Sequence, residues 1–307
     1  MPQERFFQSK DVRLHYLDWG GTGQTVVLLA GLGDTAQLYR SLAPRLAGNF
    51  SVLGLTRRGH GRSERPDAGY DLDTLVKDIR RFIDTLGIER AILIGHSFAG
   101  LEMPRFAVRH PDQVIALVYL DALFPPLDLE PDFSDDPTGS AIPTGGPTKD
   151  DLASRAAYLA YWKRARPAWA NIWCDAIEAD LMDKATLKAD GRVVFHHDDA
   201  LMNRIYRETW PARRPEYAQV TAPMLAIVPD GDRHQGCPPD ASPAIRQAAD
   251  RYWALNIRPW IRQRTASFCE AAPTARVVNL DSPFHHIYLA EEDATLRAID
   301  AFLANLQ

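Results

Sequence analysis

Cysteine is scarce in this chain: 307 residues hold three, Cys174, Cys237 and Cys269. They make no CxxC pair and no zinc-like spacing with histidine, so a disulfide framework is excluded and a reducing compartment is expected. Positive charge is not in excess either. Thirty-five Lys and Arg against 40 Asp and Glu leave a net charge of −5, with no basic run, which argues against a nucleic-acid partner. No apolar run reaches the ~20 residues that span a bilayer, so no membrane span is expected. Met1-Pro2-Gln3-Glu4-Arg5 lacks the apolar core of a signal peptide, and a cytoplasmic location is the expectation. There is no HExxH, no clustered His/Asp pattern, no Walker loop and no GxGxxG after the first strand, so neither a metal nor a nucleotide cofactor is expected. The expected partner is a small-molecule substrate, with a homodimer left open.

What is present is an ordinary globular composition, 46% hydrophobic and 24% charged, with length for a large core. Arg13 to Trp19 alternates polar and apolar and stops at Gly20-Gly21, a strand and a turn. Thr25 to Ala30 (TVVLLA), Ser51 to Leu55, Ala91 to Ile94 (AILI) and Val114 to Leu120 (VIALVYL) read as strands apolar on both faces, which belong inside a parallel sheet covered by helices. Between them, Asp71 to Leu86 repeats at helical spacing and Gly87 ends it; Phe98 to His110 reads as another helix. Such alternation predicts an α/β fold with a doubly wound, mostly parallel sheet. The pattern breaks at 124–148, rich in Pro, Gly, Asp and Ser, a linker or long loop. A helical, aromatic-rich segment follows, with Trp162, Trp169, Trp173 and Trp210. Sheet pattern resumes at Met224 to Val228 and Arg276 to Leu280, and a final amphipathic helix runs from about Asp293 to Leu306. The simplest organisation is a core made of residues 1–123 and 221–307, with residues 124–220 as a helical cap inserted between two core strands.

The strongest local signal is Ile92-Leu93-Ile94-Gly95-His96-Ser97-Phe98-Ala99-Gly100. An apolar strand meets a small-residue turn and then a helix. A serine at that corner sits on a strained bend with its hydroxyl above the sheet edge. The start of the helix supplies N–H groups and positive dipole where an oxyanion would form. The strict pattern is G-x-S-x-G; here Ala99 takes the last place and Gly100 follows. The competing reading is a serine that merely caps a helix.

Four segments in order resemble the α/β-hydrolase family. Leu28-Leu29-Ala30-Gly31-Leu32-Gly33 resembles its oxyanion loop, with Ala30 where histidine is common. Arg58-Gly59-His60-Gly61-Arg62-Ser63 is similar to its loop after the fourth strand. The third segment is the Ser97 elbow, and the fourth is an acid after one late strand with a histidine after the next. The resemblance covers roughly residues 10–122 and 220–305. It implies a serine hydrolase with a Ser, acid, His chain order. It puts the base at His285 in Pro283-Phe284-His285-His286, with His286 as the alternative; Phe284 replaces the usual glycine. It aligns Asp232, in Pro229-Asp230-Gly231-Asp232, with the family's acid, and leaves Asp230 and Asp121 as alternatives. The oxyanion donors would be the backbone N–H groups of Leu32 and Phe98. Ser97 at the elbow excludes the dehalogenase and epoxide-hydrolase branches, which carry Asp there. The expected reaction is cleavage of carboxylic esters, lactones or thioesters of small to medium, largely apolar substrates. Carbon–carbon bond hydrolysis, cofactor-free perhydrolysis and a ligand-binding receptor on the same scaffold are the alternatives. The cap aromatics have two readings, a substrate pocket or packing, and one or two cap arginines are candidates to face an anionic substrate. The stretch 236–272, with Trp253 and Trp260, is expected to add a second pocket wall.

Overall fold

The apolar runs become strands because each can bury both faces only between layers of helix. A computed structural model of the protein describes residues 1–124, 136–137, 146–196, 198–212 and 214–306, the side chain of Trp210 excepted. Most of the stretch read as a linker, together with His197 and Arg213, lies outside the described residues. The strands are β1 (Gln3–Ser9), β2 (Val12–Gly20), β3 (Thr25–Leu29), β4 (Ser51–Leu55), β5 (Ala91–His96), β6 (Val114–Leu120), β7 (Ala185–Leu187), β8 (Val193–Phe195), β9 (Met224–Pro229) and β10 (Arg276–Leu280). Eight of them form one sheet in the order β1-β2-β4-β3-β5-β6-β9-β10. β1 and β2 pair antiparallel, as do β2 and β4; every later pair is parallel. β5 lies near the middle, and its residues are all buried.

Helices cover both faces. The helix Leu72–Thr85 starts where the Asp71 side chain accepts the Thr74 N–H, and Gly87 follows its end at φ +66°, a conformation that suits glycine. Its apolar stripe includes Leu75, Ile79 and Phe82. Phe82 meets Phe7 and Tyr16 with ring centroids 5.1 Å away in each case. Burying a side chain of that size contributes about 1.5–3 kcal/mol. The C-terminal helix Glu292–Leu303 lies on the opposite face with Leu296, Ile299, Phe302 and Leu303 buried.

Between β6 and β9 the chain leaves the sheet and forms the helices Arg155–Ala165, Asp175–Asp183 and Asp199–Thr209. The expectation of an all-helical segment needs one correction: β7 and β8 pair there as a short antiparallel hairpin. Three-residue strands are too short to show a period-2 pattern. Among the described residues, no helix is long and apolar enough to cross a membrane.

Candidate active site

Parallel strands all end at the same edge, so loops far apart in sequence meet there. Ser97 follows β5 with φ +50°, and Asp121 follows the neighbouring β6 with φ +46°. Both non-glycine residues hold a left-handed conformation that costs energy. Small residues make the turn feasible. A Cβ on Gly95 would lie 2.7 Å from Ala99 Cβ, and one on Gly100 would lie 1.7 Å from the Ala122 carbonyl oxygen. Ala99 is therefore tolerated in the pattern because Gly95 leaves room opposite it. The strict glycine requirement on the helix falls on Gly100, which packs against β6's continuation.

His285 follows β10. Its Nδ1 donates to Asp121 Oδ2 at 2.6 Å. Asp121 is buried and also pairs with Arg264, which is itself buried. Burial opposes ionisation of Asp121, but the Arg264 charge and then the His285 hydrogen bond outweigh it and hold the carboxyl well below the usual carboxylate range. Asp232, the acid favoured by alignment, does not reach His285. It pairs instead with Arg258 at 3.1 Å and is 59% exposed in its side chain. Asp230 is held by the same guanidinium at 3.3 Å. The reason is positional: β6 lies beside β5 while β9 is one strand further out, so Asp121 is the acid that meets the histidine.

Ser97 and His285 line one cavity, together with Leu32 of the oxyanion loop. Among the described residues no hydrogen bond joins Ser97 to His285; in unliganded sites such bonds often tighten only with substrate. The Leu32 and Phe98 N–H groups donate to no described backbone or side-chain acceptor. The loop around Leu32 is braced by a group that sequence reading missed. Arg57 donates to the Ala30 carbonyl at 2.9 Å and the Gly31 carbonyl at 3.1 Å, and Glu102 in the helix Ala99–Arg109 accepts its Nε at 2.8 Å. This brace stands where Ala30 replaces the usual histidine. His60, in the second resembling segment, is buried and donates Nδ1–H to the Arg58 carbonyl at 2.9 Å. It does not line the Ser97 cavity.

His286, the alternative base, also lines the cavity. Its Nε2 meets Asp34 Oδ2 at 3.3 Å. His96 lies between the two histidines, its ring 4.4 Å from His285 and 4.7 Å from His286. Its Nε2 donates to the His285 carbonyl at 3.0 Å, which ties the loop after β10 to the elbow. Burial pushes the His96 imidazole down to about 4, so it is a neutral donor at pH 7. Asp34 is held well below the usual range, against its burial, chiefly by the hydrogen bond from His286. One ligand-type atom each from Asp34, His96 and His286 gathers within 4.8 Å, a cluster with no signature in the sequence. Their chemistry fits a metal poorly, because the Lys184 ammonium lies 3.8 Å from Asp34 in the place of a cation.

The outer wall comes from the segment between β6 and β9. Trp162 and Trp169 line the cavity, as do Leu181, Phe195 and Met202. Tyr158 and Trp173 serve packing instead: the Tyr158 hydroxyl donates to the Leu181 carbonyl at 3.3 Å, and Trp173 Nε1 to Glu178 at 3.1 Å. The expected second wall from residues 236–272 is not there. That stretch forms the helices Pro243–Tyr252 and Arg258–Ala271, and none of it lines this cavity. It contributes Arg264 behind the acid instead.

Comparison with known proteins places this arrangement. The family model described as the alpha/beta hydrolase fold matches residues 24–158. The 2-(acetamidomethylene)succinate hydrolase of Mesorhizobium japonicum is 28% identical over 207 residues, 67% of this chain and 70% of that protein. Epoxide hydrolase A of Mycobacterium tuberculosis is 35% identical over 123 residues, 39% of this chain and only 38% of that protein. The crystal structure of an E-2-(acetamidomethylene)succinate hydrolase superposes on 99% of this chain and 100% of its own, with a TM-score of 0.72 and 22% identity. The sheet order, the strained serine after β5 and these matches agree that the chain has the α/β-hydrolase fold, with residues 24–158 matching the model of that family.

Proposed function

We propose that this enzyme is a serine hydrolase that cleaves carboxylic esters, or the related lactones and thioesters, through an acyl-enzyme on Ser97. The observation that carries the reading is the 2.6 Å contact between His285 Nδ1 and Asp121, on a histidine that shares its cavity with the strained Ser97. With Nδ1–H held by the carboxylate, Nε2 is left as the proton acceptor. In the first step Ser97 Oγ bonds to the substrate carbonyl carbon while His285 takes the serine proton. The carbonyl oxygen becomes an oxyanion facing the Leu32 and Phe98 N–H groups, donors worth roughly 3–4 kcal/mol each to a transition state. The tetrahedral intermediate then collapses, His285 returns the proton to the departing alkoxide, and the acyl group stays on Ser97. Water, activated by the same imidazole, releases the acid. The cavity, about 540 Å³, suits a small to medium substrate, and its indole, phenyl and aliphatic walls suit a largely apolar body. The segment between β6 and β9 acts as the cap that excludes water.

Turnover of p-nitrophenyl acetate and butyrate tests this. Wild type should release nitrophenol, and Ser97→Ala should lose about 10⁴-fold or more in kcat/KM. An enzyme that binds small esters tightly without turning them over, or a Ser97→Ala variant that keeps wild-type rates, would overturn it.

A further inference from the structure

Asp34, Arg166, Lys184 and Asp199 are charged residues of the cavity wall that the proposed ester chemistry does not use, and Arg166 stands out among them. Arg166 caps the C-terminal end of the helix Arg155–Ala165, and its backbone N–H closes that helix on the Trp162 carbonyl. Its side chain lines the same cavity as Ser97, with the guanidinium 5.0 Å from the centroid of the Trp169 ring. Trp169 is itself set by a hydrogen bond from its N–H to the Arg166 carbonyl, 2.9 Å long. Stacking of this kind holds a guanidinium flat and leaves its edge free to donate.

Among the described residues the edge has nothing to donate to. Arg166 makes no ion pair with any described carboxylate, and its Nε is buried without a hydrogen-bond partner. Burial works against its charge. The neighbouring cation differs in this respect: Lys184 on the same wall is matched by Asp180 and by Asp34 at 3.8 Å. Asp34 is close enough for Arg166 to feel its field. Its carboxylate, however, is already taken up by His286 at 3.3 Å and by Lys184 at 3.8 Å. A half-buried guanidinium with free donors is costly unless something supplies the acceptor.

We propose that Arg166, stacked on Trp169, binds a carboxylate on the substrate, so that the preferred substrate of this enzyme is an ester or related acyl compound bearing a second, free acid group. A planar guanidinium matches a carboxylate through two parallel N–H···O bonds, and the match is strongest where water is excluded. The anion would anchor at the cap while the scissile carbonyl meets Ser97 on the sheet side. Substrate recognition would then be apolar along the body and ionic at one end. This inference rests on the hydrolase reading above, and the test separates the two.

Two esters with the same leaving group serve as probes: p-nitrophenyl butyrate, which is neutral, and mono-p-nitrophenyl glutarate, which carries a free carboxylate. Wild type should favour the glutarate ester in kcat/KM. Arg166→Met should lower the glutarate-to-butyrate ratio by roughly 10- to 100-fold, and Arg166→Lys should restore part of it. Glutarate itself should quench tryptophan fluorescence in Ser97→Ala and lose that effect in the Ser97→Ala, Arg166→Met double variant. If wild type shows no preference for the anionic ester and glutarate does not bind, Arg166 is not an anion site although the hydrolase reading stands. If glutarate binds through Arg166 but neither ester turns over, the hydrolase reading fails and the anion site stands. A ratio unchanged in Arg166→Met overturns the assignment.

Discussion

Replacing Asp121 with Asn, beside the matched replacement of Asp232, separates the two acids that the sequence offers. In Asp121→Asn the shape of the side chain is kept, but the charge that fixes His285 is gone. The 2.6 Å bond to Nδ1 can no longer stabilise an imidazolium, and an amide there favours the wrong tautomer. Loss of the acid in a Ser-His-Asp site costs about 10⁴ in kcat, which corresponds to roughly 5.5 kcal/mol of transition-state stabilisation. A second cost falls on stability. Arg264 is 3% exposed and pairs with Asp121, and breaking a buried pair from one side costs about 3–5 kcal/mol. Asp121→Asn should therefore lower both kcat and Tm. Asp232→Asn should do neither, since the Asp232 side chain is largely exposed and pairs with Arg258; its kcat should stay within about threefold of wild type. The assay is kcat for p-nitrophenyl butyrate at a temperature where far-UV circular dichroism shows both variants folded. A folded Asp121→Asn enzyme within tenfold of wild type, or an Asp232→Asn enzyme down a thousandfold, would refute the assignment.

Two further outcomes follow from the same geometry. Arg57→Met removes both bonds to the oxyanion loop, so kcat should fall about 10- to 100-fold, less than for outright loss of a donor; KM should move little, and an unchanged kcat in folded enzyme would remove Arg57 from this role. Acid should destabilise the fold before it reaches the carboxylates. His60 and His96 are pushed down by burial to about 3 and about 4, below the ordinary value near 6.5. As pH falls from 6.5 towards 4, the unfolded chain takes up two protons that the folded chain refuses. Folding stability then drops by up to about 1.4 kcal/mol per imidazole per pH unit. Calorimetry should show Tm level above pH 7 and falling steeply between pH 6 and 4.5; a Tm at pH 5 equal to that at pH 7.5 would contradict it.

Much of the fold was legible because its signals are local. TVVLL, SVLGL and VIALVYL are apolar on both faces, and only a parallel, helix-covered sheet buries both. The elbow was legible because a small-residue turn between strand and helix leaves its mark within nine residues. The acid was not. Asp121, Asp230 and Asp232 each follow a strand, and what separates them is the lateral order of β5, β6 and β9 and the capture of two of them by Arg258. Neither is written in local spacing. The same holds for Arg57, Arg264 and Asp34, whose partners lie 45, 143 and 252 residues away. β7 and β8 escaped notice because three residues carry too little pattern. Arg166 stood in the sequence as one cap arginine among several, and only the cavity distinguishes it.

The direct test of the central claim is the mass of the protein after treatment with diisopropyl fluorophosphate, which phosphorylates an activated serine. Wild type should gain one adduct, peptide mapping should place it on Ser97, and His285→Ala should label far more slowly. An enzyme that turns over esters yet gains no adduct at Ser97, or carries it on another residue, would contradict the account.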